Sequence, residues 1–334
     1  MNNIIAITVG DVKGIGLEIL IDSWKKNRLK NFILFTNIEV ISKIFKDKKI
    51  NNKINIINEK NINNKYSINK FNIYTYKADS LEVNTYKSLK FAYKFCIKKI
   101  CIGMITLPLR KDLIKKKINK NFIGQTEYFQ KIDKKQYSNM ILFHDKIIVS
   151  PVTTHIKLKE VSKQISQKNF LYNQLINLNN SLKIDFNINK PKIVISGLNP
   201  HAGENGNIGK EEILNILPVV KKLKKKGIII DGPLSADSML IKNNLKKYSC
   251  FVFLFHDQAL IPFKYISQFS GVNYTGNLNI IRTSPDHGTA YDLVGTNKVS
   301  KKSFMNCYKL IKKIYKNRML NDKSKKVVKS KLSN

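Results

Sequence analysis

Cysteines, acidic side chains and long apolar runs are all scarce in this sequence. Cys96, Cys101, Cys250 and Cys307 have no CxxC spacing, which excludes a zinc ribbon or a disulfide framework and predicts buried thiols. The longest apolar runs, such as CFVFLF at 250–255, fall well short of the roughly 18–20 residues that a membrane helix needs. The N-terminal MNNIIAITVGD lacks the charged start and the cleavage site of a signal peptide. A globular, cytoplasmic protein is therefore expected.

The scarcity of acidic residues leaves a large positive charge. The chain has 60 Lys and Arg against 23 Asp and Glu, which gives a net charge of +37. Such a balance is typical of proteins that bind nucleic acid. Here lysine is spread over the whole chain together with an excess of Asn and Ile, which favours a compositional bias of the genome as the cause. The basic segment 321–334 is expected to be a solvated, frayed end.

Short apolar runs alternate with helical patterns, and this rhythm predicts βαβ units in an α/β fold. At 334 residues and 43% hydrophobic content, the chain is long enough for two lobes. The Asn- and Lys-rich stretch Asp47–Asn72 is low in complexity, and no element is predicted there. The clearest predicted elements are strands at Ile4–Val9, Asn31–Thr36 and CIGMITL (101–107), and helices that end near Lys26 and span Leu81–Ile100.

The middle of the chain has a different pattern. NMILFHDKIIVSPVTTH (139–155) alternates around HDK as a β-hairpin does, which predicts an antiparallel element in an otherwise parallel protein. Long helices are predicted at about Leu158–Asn180 and from about Gly209 to Lys226, where Gly227 ends the second one. The strands KIVISGL and CFVFLFH are predicted on either side of that second helix.

Three histidines, His155, His201 and His256, each follow directly on a predicted strand. Ligands bind at the carboxyl ends of the strands in an open α/β sheet, so three such residues can converge although they are far apart in sequence. Neutral imidazoles suit a divalent transition metal, and three protein ligands with an open position describe a catalytic site. The alternative is a structural role, because a lone histidine at a strand end is often simply hydrogen-bonded.

Five motifs occur in order along the chain: ITVGDVKGIGLE, GLNPHAGENGNIGKEE, DGPLSADSM, FHDQALIPFK and IRTSPDHGTAYDLVGT. From Ile7 to about Lys316 the sequence resembles the 4-hydroxythreonine-4-phosphate dehydrogenase family of pyridoxal phosphate biosynthesis. The resemblance implies an NAD-dependent oxidation of 4-phosphooxy-L-threonine, followed by decarboxylation to 3-amino-2-oxopropyl phosphate. It also implies the isocitrate/isopropylmalate dehydrogenase fold, with two α/β/α lobes around a central cleft, and a homodimer whose metal takes ligands from both chains.

The same resemblance assigns lobes and site residues. The implied cofactor-side lobe consists of residues 1–123 plus 285–320. The implied lobe with the metal ligands and dimer contacts consists of residues 124–284, and the basic tail of residues 321–334. The metal is zinc, magnesium or cobalt, and its implied ligands are His155, His201 and His256. The implied substrate-binding residues are Gln125, Thr126, Lys264, Asn273 and Arg282. The general base is left open among Asp237, Asp257 and Lys264.

The cofactor segment departs from the common dinucleotide-binding fingerprint. GDVKGIGLE contains GxG but not GxGxxG with an acidic residue about 20 positions on, so the usual argument for a Rossmann site fails. DHGTAYDLVG resembles instead the adenosine-contacting loop of the isopropylmalate dehydrogenase group. By that resemblance NAD or NADP is held by His287, Gly288, Thr289 and Ala290, with Gly14 and Gly16 letting the backbone come close.

Several positions depart from the family pattern. Gln125 stands where the family commonly has His, and its amide can donate a hydrogen bond to phosphate but carries no charge. Leu107 and Arg110 stand in place of the usual Gly and His, and Arg110 is a candidate to supply the missing charge. The N-terminal loop has Val, Asp and Val at 9, 11 and 12 where Pro, Glu and Pro are usual. A second hypothesis therefore stays open: a degenerate homologue with weak activity or a basic, nucleic-acid-binding role.

If the positive charge reflects composition alone, the protein should bind duplex DNA weakly and without sequence preference. Binding of that kind depends on the release of counterions, so it should be lost between about 50 and 200 mM salt. Fluorescence anisotropy with two unrelated duplexes measures it across that range. Sequence-selective binding that persists at about 200 mM salt would contradict the compositional explanation.

Overall fold

A computed structural model describes residues 3–59, 61–167, 169–296 and 298–332. Strands and helices alternate along most of the chain, which confirms the predicted α/β class. The strands in chain order are β1 (Ile5–Thr8), β2 (Phe32–Phe35), β3 (Ile54–Ile57), β4 (Phe71–Tyr74), β5 (Gly103–Thr106), β6 (Asn139–His144), β7 (Ile147–Pro151), β8 (Lys192–Ser196), β9 (Ile229–Leu234), β10 (Cys250–Phe253), β11 (Val272–Gly276) and β12 (Arg282–Pro285). The α-helices are α1 (Ile15–Lys25), α2 (Ile38–Asp47), α3 (Ile62–Lys65), α4 (Leu81–Ile97), α5 (Lys111–Lys117), α6 (Gln125–Ile132), α7 (Val161–Ser166), α8 (Phe170–Ile184), α9 (Leu217–Lys225), α10 (Lys242–Lys247), α11 (His256–Ser267) and α12 (Lys302–Leu332).

The chain divides into two compact units. The first comprises Met1–Tyr128 and Asn279–Tyr315, and the second comprises Phe129–Leu278 and Lys316–Asn334. In the first unit the strand order is β3-β4-β2-β1-β5-β12, and the neighbouring strands run parallel. β1, β2 and β5 are buried along their whole length. This burial explains why they read as short continuous apolar runs, since helices cover both faces of a parallel sheet.

The second unit has the strand order β11-β6-β7-β10-β8-β9. β6 is antiparallel to β11 and β7, whereas β7, β10, β8 and β9 pair in parallel. β6 and β7 form the predicted hairpin, in which His144 lies opposite Ile147 and Asp145 occupies the turn at φ 51°. A short polar side chain such as that of Asp145 tolerates this left-handed conformation better than most. The predicted antiparallel element is therefore confirmed.

Two predictions about helices are wrong. The single helix predicted at Leu158–Asn180 is broken, because α7 ends at Ser166 and α8 begins at Phe170, after Asn169 in the left-handed region at φ 66°. The frayed end predicted at 321–334 is helical as far as α12 extends, to Leu332. Neither Gly nor Pro occurs between residues 321 and 332, so this stretch lacks the residues that most often end a helix. The last two predicted tail residues, 333 and 334, lie outside the described residues.

The stretch Asp47–Asn72, where no element was predicted, contains β3, α3 and the start of β4. β4 pairs in parallel with β2 and with β3, and β3 forms the edge of the first unit's sheet. Ile56 in β3 is 48% exposed. β3 is the short run INII, and three of its four residues are not fully buried, so it stands out little from the Asn- and Lys-rich sequence around it.

The four cysteines are buried and unpaired, as predicted. Burial raises the pKa of each of these thiols above its ordinary value, so they are poor nucleophiles. Among the residues that the structure describes, no helix is both long and apolar enough to cross a membrane.

The second unit contains an ion pair between the buried Asp185 and the half-buried Arg318. Arg318 Nε donates to Asp185 Oδ1 over 2.7 Å, and the Tyr274 hydroxyl donates to Asp185 Oδ2 over 2.6 Å. The side chains of Arg318 and Asp185 are 21% and 5% exposed. Burial on its own lowers the pKa of Arg318, but Tyr274 and the Asp185 carboxylate raise it above its ordinary value. This cation therefore holds α12 against β11 and the end of α8.

Arg318→Met should lower the free energy of unfolding by about 3 kcal/mol, because it leaves a buried carboxylate without its cation. Arg110→Met is the matched control. Arg110 and Asp112 are 43% and 61% exposed, and an exposed pair contributes less than about 1 kcal/mol. Urea unfolding followed by circular dichroism measures both variants, and equal losses would show that burial of the Asp185 pair has no energetic consequence.

Candidate active site

The three predicted metal ligands follow neighbouring strands of the second unit. These strands lie in the order β7-β10-β8, and both pairs are parallel, so their carboxyl ends fall at one edge of the sheet. His155 lies after β7, His201 after β8, and His256 begins α11 directly after β10. The ring centroids of His155 and His256 are 5.8 Å apart. The sheet therefore brings two of the imidazoles together and places His201 on the loop of the adjacent strand.

The three imidazoles are chemically suited to bind a metal. Within 3–59, 61–167, 169–296 and 298–332, no three His, Cys, Asp or Glu side chains form a group that could hold a metal ion. The three-histidine site therefore stays a prediction.

The loop that carries His201 has an unusual backbone. All five residues from His201 to Asn205 have positive φ, between 42° and 82°. The left-handed region costs roughly 1–2 kcal/mol for each residue other than glycine, and four of these five are not glycine. The helix predicted from Gly209 contains a π-turn at Glu212–Ile216 before α9, and it ends before Gly227 as predicted. The left-handed loop must be held in place by the structure around it.

A polar network joins the ends of the three histidine-bearing strands. The Thr153 hydroxyl donates to the Leu254 carbonyl over 2.7 Å, which connects the segments after β7 and β10. Gln258 Oε1 accepts hydrogen bonds from Leu254 N at 2.9 Å and from the Ser196 hydroxyl at 3.1 Å, while its Nε2 donates to the Gly197 carbonyl at 3.1 Å. Gln258 thus connects the end of β10 with the end of β8.

The predicted base candidates differ in their contacts. Asp257 Oδ1 lies 2.7 Å from His256 Nδ1, which places a proton on Nδ1 and leaves the Nε2 lone pair available to a metal. Asp237 Oδ1 accepts a hydrogen bond from the Ser235 hydroxyl at 2.7 Å, and this bond is the main cause that lowers the pKa of the Asp237 carboxyl. A lowered pKa makes Asp237 a weaker base. Lys264, on α11, has its ammonium 5.3 Å from the centroid of the Phe269 ring.

Arg282 is the centre of a second cluster, in the first unit. It begins β12 and is 2% exposed. Its guanidinium donates to the Thr106 hydroxyl at 2.7 Å, the Thr126 hydroxyl at 3.2 Å and Gln125 Oε1 at 2.9 Å. Burial lowers the pKa of Arg282 to about 10, and the nearby charge of Glu127 offsets part of this effect. Three of the predicted substrate-binding residues, Gln125, Thr126 and Arg282, are thus brought together.

The oxygen and the nitrogen of the Gln125 amide each form a hydrogen bond within the protein. Its Oε1 accepts from Arg282, and its Nε2 donates to the Leu107 carbonyl over 3.1 Å. Gln125 therefore contacts the guanidinium of Arg282, and its predicted hydrogen bond to phosphate stays a prediction. Arg110, the predicted replacement for the missing charge, donates instead to the carboxylate of Asp112.

Asn273 presents an unsatisfied acceptor. It lies on β11 opposite Leu142 of β6, and within the described part of the chain its buried Oδ1 has no hydrogen-bond partner. A buried acceptor without a partner costs roughly 1–3 kcal/mol, and a donor on a bound ligand removes that cost. The position is therefore suited to a substrate N–H or O–H group.

The predicted cofactor residues of the first unit lie in two neighbouring loops. Ile15 N donates to the Thr289 carbonyl over 3.0 Å, and a Cβ on Gly14 would lie 2.8 Å from that oxygen, so a larger residue does not fit there. Ala290 is left-handed at φ 42°, and His287 Nδ1 lies 3.0 Å from the Gly288 carbonyl oxygen.

Beside these loops is a cavity of about 320 Å³. The loop before α1 contributes Asp11 and Lys13, and the segment after Ala290 contributes Tyr291, whose hydroxyl donates to Asp11. Arg110 and Glu82 also line it. Both signs of charge therefore border a space large enough for part of a dinucleotide. Gly16, the other predicted glycine, is close to Leu107.

Sequence reasoning missed three buried or half-buried polar residues: Thr106, Gln258 and Glu212. Each lies inside a stretch that the sequence analysis quotes: Thr106 in CIGMITL, Gln258 in FHDQALIPFK and Glu212 in GLNPHAGENGNIGKEE. The available signal was a polar residue close to the end of a predicted buried strand, or at the start of the following helix. Their partners are far away in sequence, so the contacts themselves could not be predicted.

The comparisons with known proteins agree with the motifs. The model of the family "Pyridoxal phosphate biosynthetic protein PdxA" matches residues 27–311. The chain belongs to the PdxA family. The 4-hydroxythreonine-4-phosphate dehydrogenase of Sulfurihydrogenibium sp. is 37% identical over 301 residues, which cover 88% of this chain and 92% of the relative. That of Aquifex aeolicus is 35% identical over 320 residues, which cover 93% and 98%.

The PdxA-family fold is also found in solved structures. A 4-hydroxythreonine-4-phosphate dehydrogenase from Klebsiella pneumoniae aligns with a TM-score of 0.80 at 26% identity over 94% of this chain and 98% of that one. A terephthalate 1,2-cis-dihydrodiol dehydrogenase from Burkholderia xenovorans aligns with a TM-score of 0.60 at 20% identity over 92% and 96%, and it shares the fold alone.

Gln125→Glu should raise KM for a phosphorylated substrate at least about tenfold, because a carboxylate would form a charge-assisted bond with Arg282 and compete with the substrate's anionic group. The thermal midpoint should not fall. Steady-state kinetics and differential scanning fluorimetry measure the two quantities. Gln167→Glu is the control, since Gln167 is exposed and also accepts a hydrogen bond, from Gln164. An unchanged KM in Gln125→Glu would show that Arg282 does not bind the substrate.

Proposed function

We propose that this PdxA-family protein catalyses the oxidation of 4-phosphooxy-L-threonine by NAD or NADP, with decarboxylation to 3-amino-2-oxopropyl phosphate, in cytoplasmic pyridoxine 5'-phosphate biosynthesis. The observation that carries the proposal is that His155, His201 and His256 follow three adjacent parallel strands in a chain of this family. The reaction named for the relatives supports it.

His155, His201 and His256 would hold the divalent metal. Three neutral imidazoles suit zinc or cobalt, whereas magnesium prefers oxygen ligands. The contact between Asp257 and His256 fits this role, because a metal-bound histidine usually donates its other N–H to a carboxylate or carbonyl. When bound, the metal would lower the pKa of the substrate hydroxyl and polarise the ketone during loss of carbon dioxide.

We also propose a homodimer whose two chains share this metal site. In such a dimer a histidine of the partner subunit completes the ligand set. A site shared between two chains accounts for two observations. His155 and His256 lie close together, and no complete ligand group forms within the described residues of one chain.

The substrate carries both negative and positive groups, and the chain offers a partner for each. Arg282, oriented by Gln125 and Thr126, is proposed to bind an anionic group, which would stabilise a guanidinium whose charge burial disfavours. Lys264 provides a second cation for the phosphate or the carboxylate. Asn273 Oδ1 is proposed to accept a hydrogen bond from the substrate's amino group.

Among the three candidates, Lys264 is assigned to proton transfer as a proton donor, a role that its ammonium can take while it binds the substrate's anionic group. Asp257 is engaged with the imidazole of His256. The Asp237 carboxyl has a lowered pKa, chiefly through its bond from Ser235, and holds a proton weakly.

The cofactor is assigned to the loops around Gly14 and Thr289. Gly14, Gly16 and residues His287, Gly288, Thr289 and Ala290 would let the backbone approach the dinucleotide. The cavity lined by Lys13, Arg110 and Tyr291 lies beside these loops and offers two cations for its phosphates.

Purified protein should form NADH from 4-phosphooxy-L-threonine and NAD, and a chelator should abolish the reaction. His155→Ala, His201→Ala and His256→Ala should each lose stoichiometric metal and lower kcat at least about 100-fold, because each leaves an incomplete ligand set. Metal content by mass spectrometry and the initial rate of NADH formation measure these effects.

His144→Ala is the internal control, since His144 ends β6 in the hairpin and contacts Ser270. Its metal content should equal that of the wild type. Full activity and stoichiometric metal in His201→Ala would refute the proposed metal site.

A further inference from the structure

A buried carboxylate lies directly beneath the loop that carries His201. Glu212 is 2% exposed, although it belongs to the helical segment that follows the loop. Its Oε1 accepts hydrogen bonds from the backbone N–H groups of Leu198 at 2.8 Å and Asn199 at 2.9 Å. Its Oε2 accepts from Asn199 Nδ2 at 3.0 Å. One side chain thus holds the entry to the left-handed stretch at three points.

Asn199 is held in one orientation by two carboxylates. Its Nδ2 donates to Glu211 Oε2 at 2.9 Å as well as to Glu212 Oε2. Glu211 is fixed in turn by the Ser162 hydroxyl, which donates to its Oε1 over 2.9 Å. The bond from Asn199 is the largest of several causes that lower the pKa of the Glu211 carboxyl. A reversed Asn199 amide would point its oxygen at both carboxylates, so this orientation is strongly favoured.

The glycines of the motif fit this arrangement. A Cβ on Gly203 would lie 2.6 Å from Glu212 Oε2, and one on Gly209 would lie closer still to Asn199 Nδ2. Both separations are shorter than any non-bonded contact allows, so the loop closes on Glu212 and Asn199 only if these positions are glycine. The spacing of Asn, Gly, Gly and Glu in GLNPHAGENGNIGKEE is therefore explained by one set of contacts around His201.

We propose that Glu212, together with Asn199, is a positioning residue that holds the left-handed loop so that the His201 imidazole is presented for metal binding. This inference rests on the proposed function, because it takes His201 to be a metal ligand. Glu212 is proposed to act through the loop and not as a ligand, since it is 2% exposed and its two oxygens accept three hydrogen bonds from that loop. Without it the segment that leads into the five left-handed residues loses three hydrogen bonds that fix it.

Glu212→Gln tests the proposal with almost no change in shape. When the oxygen of the new amide at position 212 keeps the two backbone hydrogen bonds, the NH₂ group of that amide faces the NH₂ group of Asn199. When the Asn199 amide reverses to avoid this contact, the Asn199 oxygen faces the Glu211 carboxylate. One bond of the cluster is lost in either case. The affinity for Co²⁺ alone, measured by calorimetry without substrate, should fall about 10- to 100-fold. The thermal midpoint of the metal-free protein should change little.

The double variant Glu211→Gln with Glu212→Gln separates positioning from a general loss of charge. With both carboxylates replaced, the oxygen of a reversed Asn199 amide can accept hydrogen bonds from the NH₂ groups of both new amides. The amide oxygen at position 211 still accepts from the Ser162 hydroxyl, and the amide oxygen at position 212 still accepts from the two backbone N–H groups. The Co²⁺ affinity of the double variant should therefore be higher than that of Glu212→Gln alone. Two independent sites would not show this recovery. A double variant weaker than the single one would overturn the proposal. Glu204→Gln is the control, because Glu204 is an exposed carboxylate on the same loop.

His201→Ala distinguishes failure of this inference from failure of the proposed function. If wild type and His201→Ala bind Co²⁺ alike, His201 is not a ligand and the proposed function fails. If His201→Ala loses Co²⁺ and Glu212→Gln retains it, the positioning role alone is refuted. Should Glu212→Gln not fold, Asn199→Ala carries the same test, because it removes the amide bridge and leaves the two backbone bonds to Glu212 in place.

Discussion

β7, β10 and β8 run parallel and side by side in the second unit, and the candidate metal chemistry depends on this alignment. Because the carboxyl ends of the three strands fall at one edge, each chain segment that leaves the sheet there can present a histidine to the same region. The hairpin of β6 and β7 contributes to the alignment, since it sets the direction of β7. Gln258 and Thr153 then fix the strand ends to one another by hydrogen bonds.

Arg318 and Arg282 show how neighbouring groups set the pKa of a guanidinium that is largely removed from solvent. Arg318 donates to a carboxylate, and its pKa is raised above the ordinary value although burial lowers it. Arg282 donates to the neutral oxygens of Thr106, Thr126 and Gln125, and burial lowers its pKa to about 10. The neighbours of Arg318 more than offset the effect of burial on its pKa, whereas the nearby charge of Glu127 offsets only part of that effect at Arg282. Partners, more than burial, distinguish the two.

The sequence predicted those parts of the structure whose causes are local. The runs around β1 and β5 and the hairpin turn at Asp145 have short-range signals, and the positions of the histidines follow from the strands. The break at Asn169 could not be predicted, because a left-handed asparagine leaves no trace in apolar periodicity. The use of Gln125 could not be predicted either, since its partner Arg282 is 157 residues away in sequence. Contacts of this kind depend on the fold, which the local pattern does not contain.

The excess of lysine affects ligands at long range, whereas the residues of the candidate site act only over short contacts. The residues assigned to substrate are buried or half-buried, whereas the 60 Lys and Arg are spread through the whole chain. At physiological ionic strength an exposed charge is screened within about 8 Å, so distant lysines cannot substitute for an oriented guanidinium. Their summed field does raise the local concentration of anionic ligands, which include both the phosphorylated substrate and the dinucleotide. The net charge therefore affects how fast such ligands arrive, whereas the contacts proposed around Arg282 and the histidines would determine which of them bind.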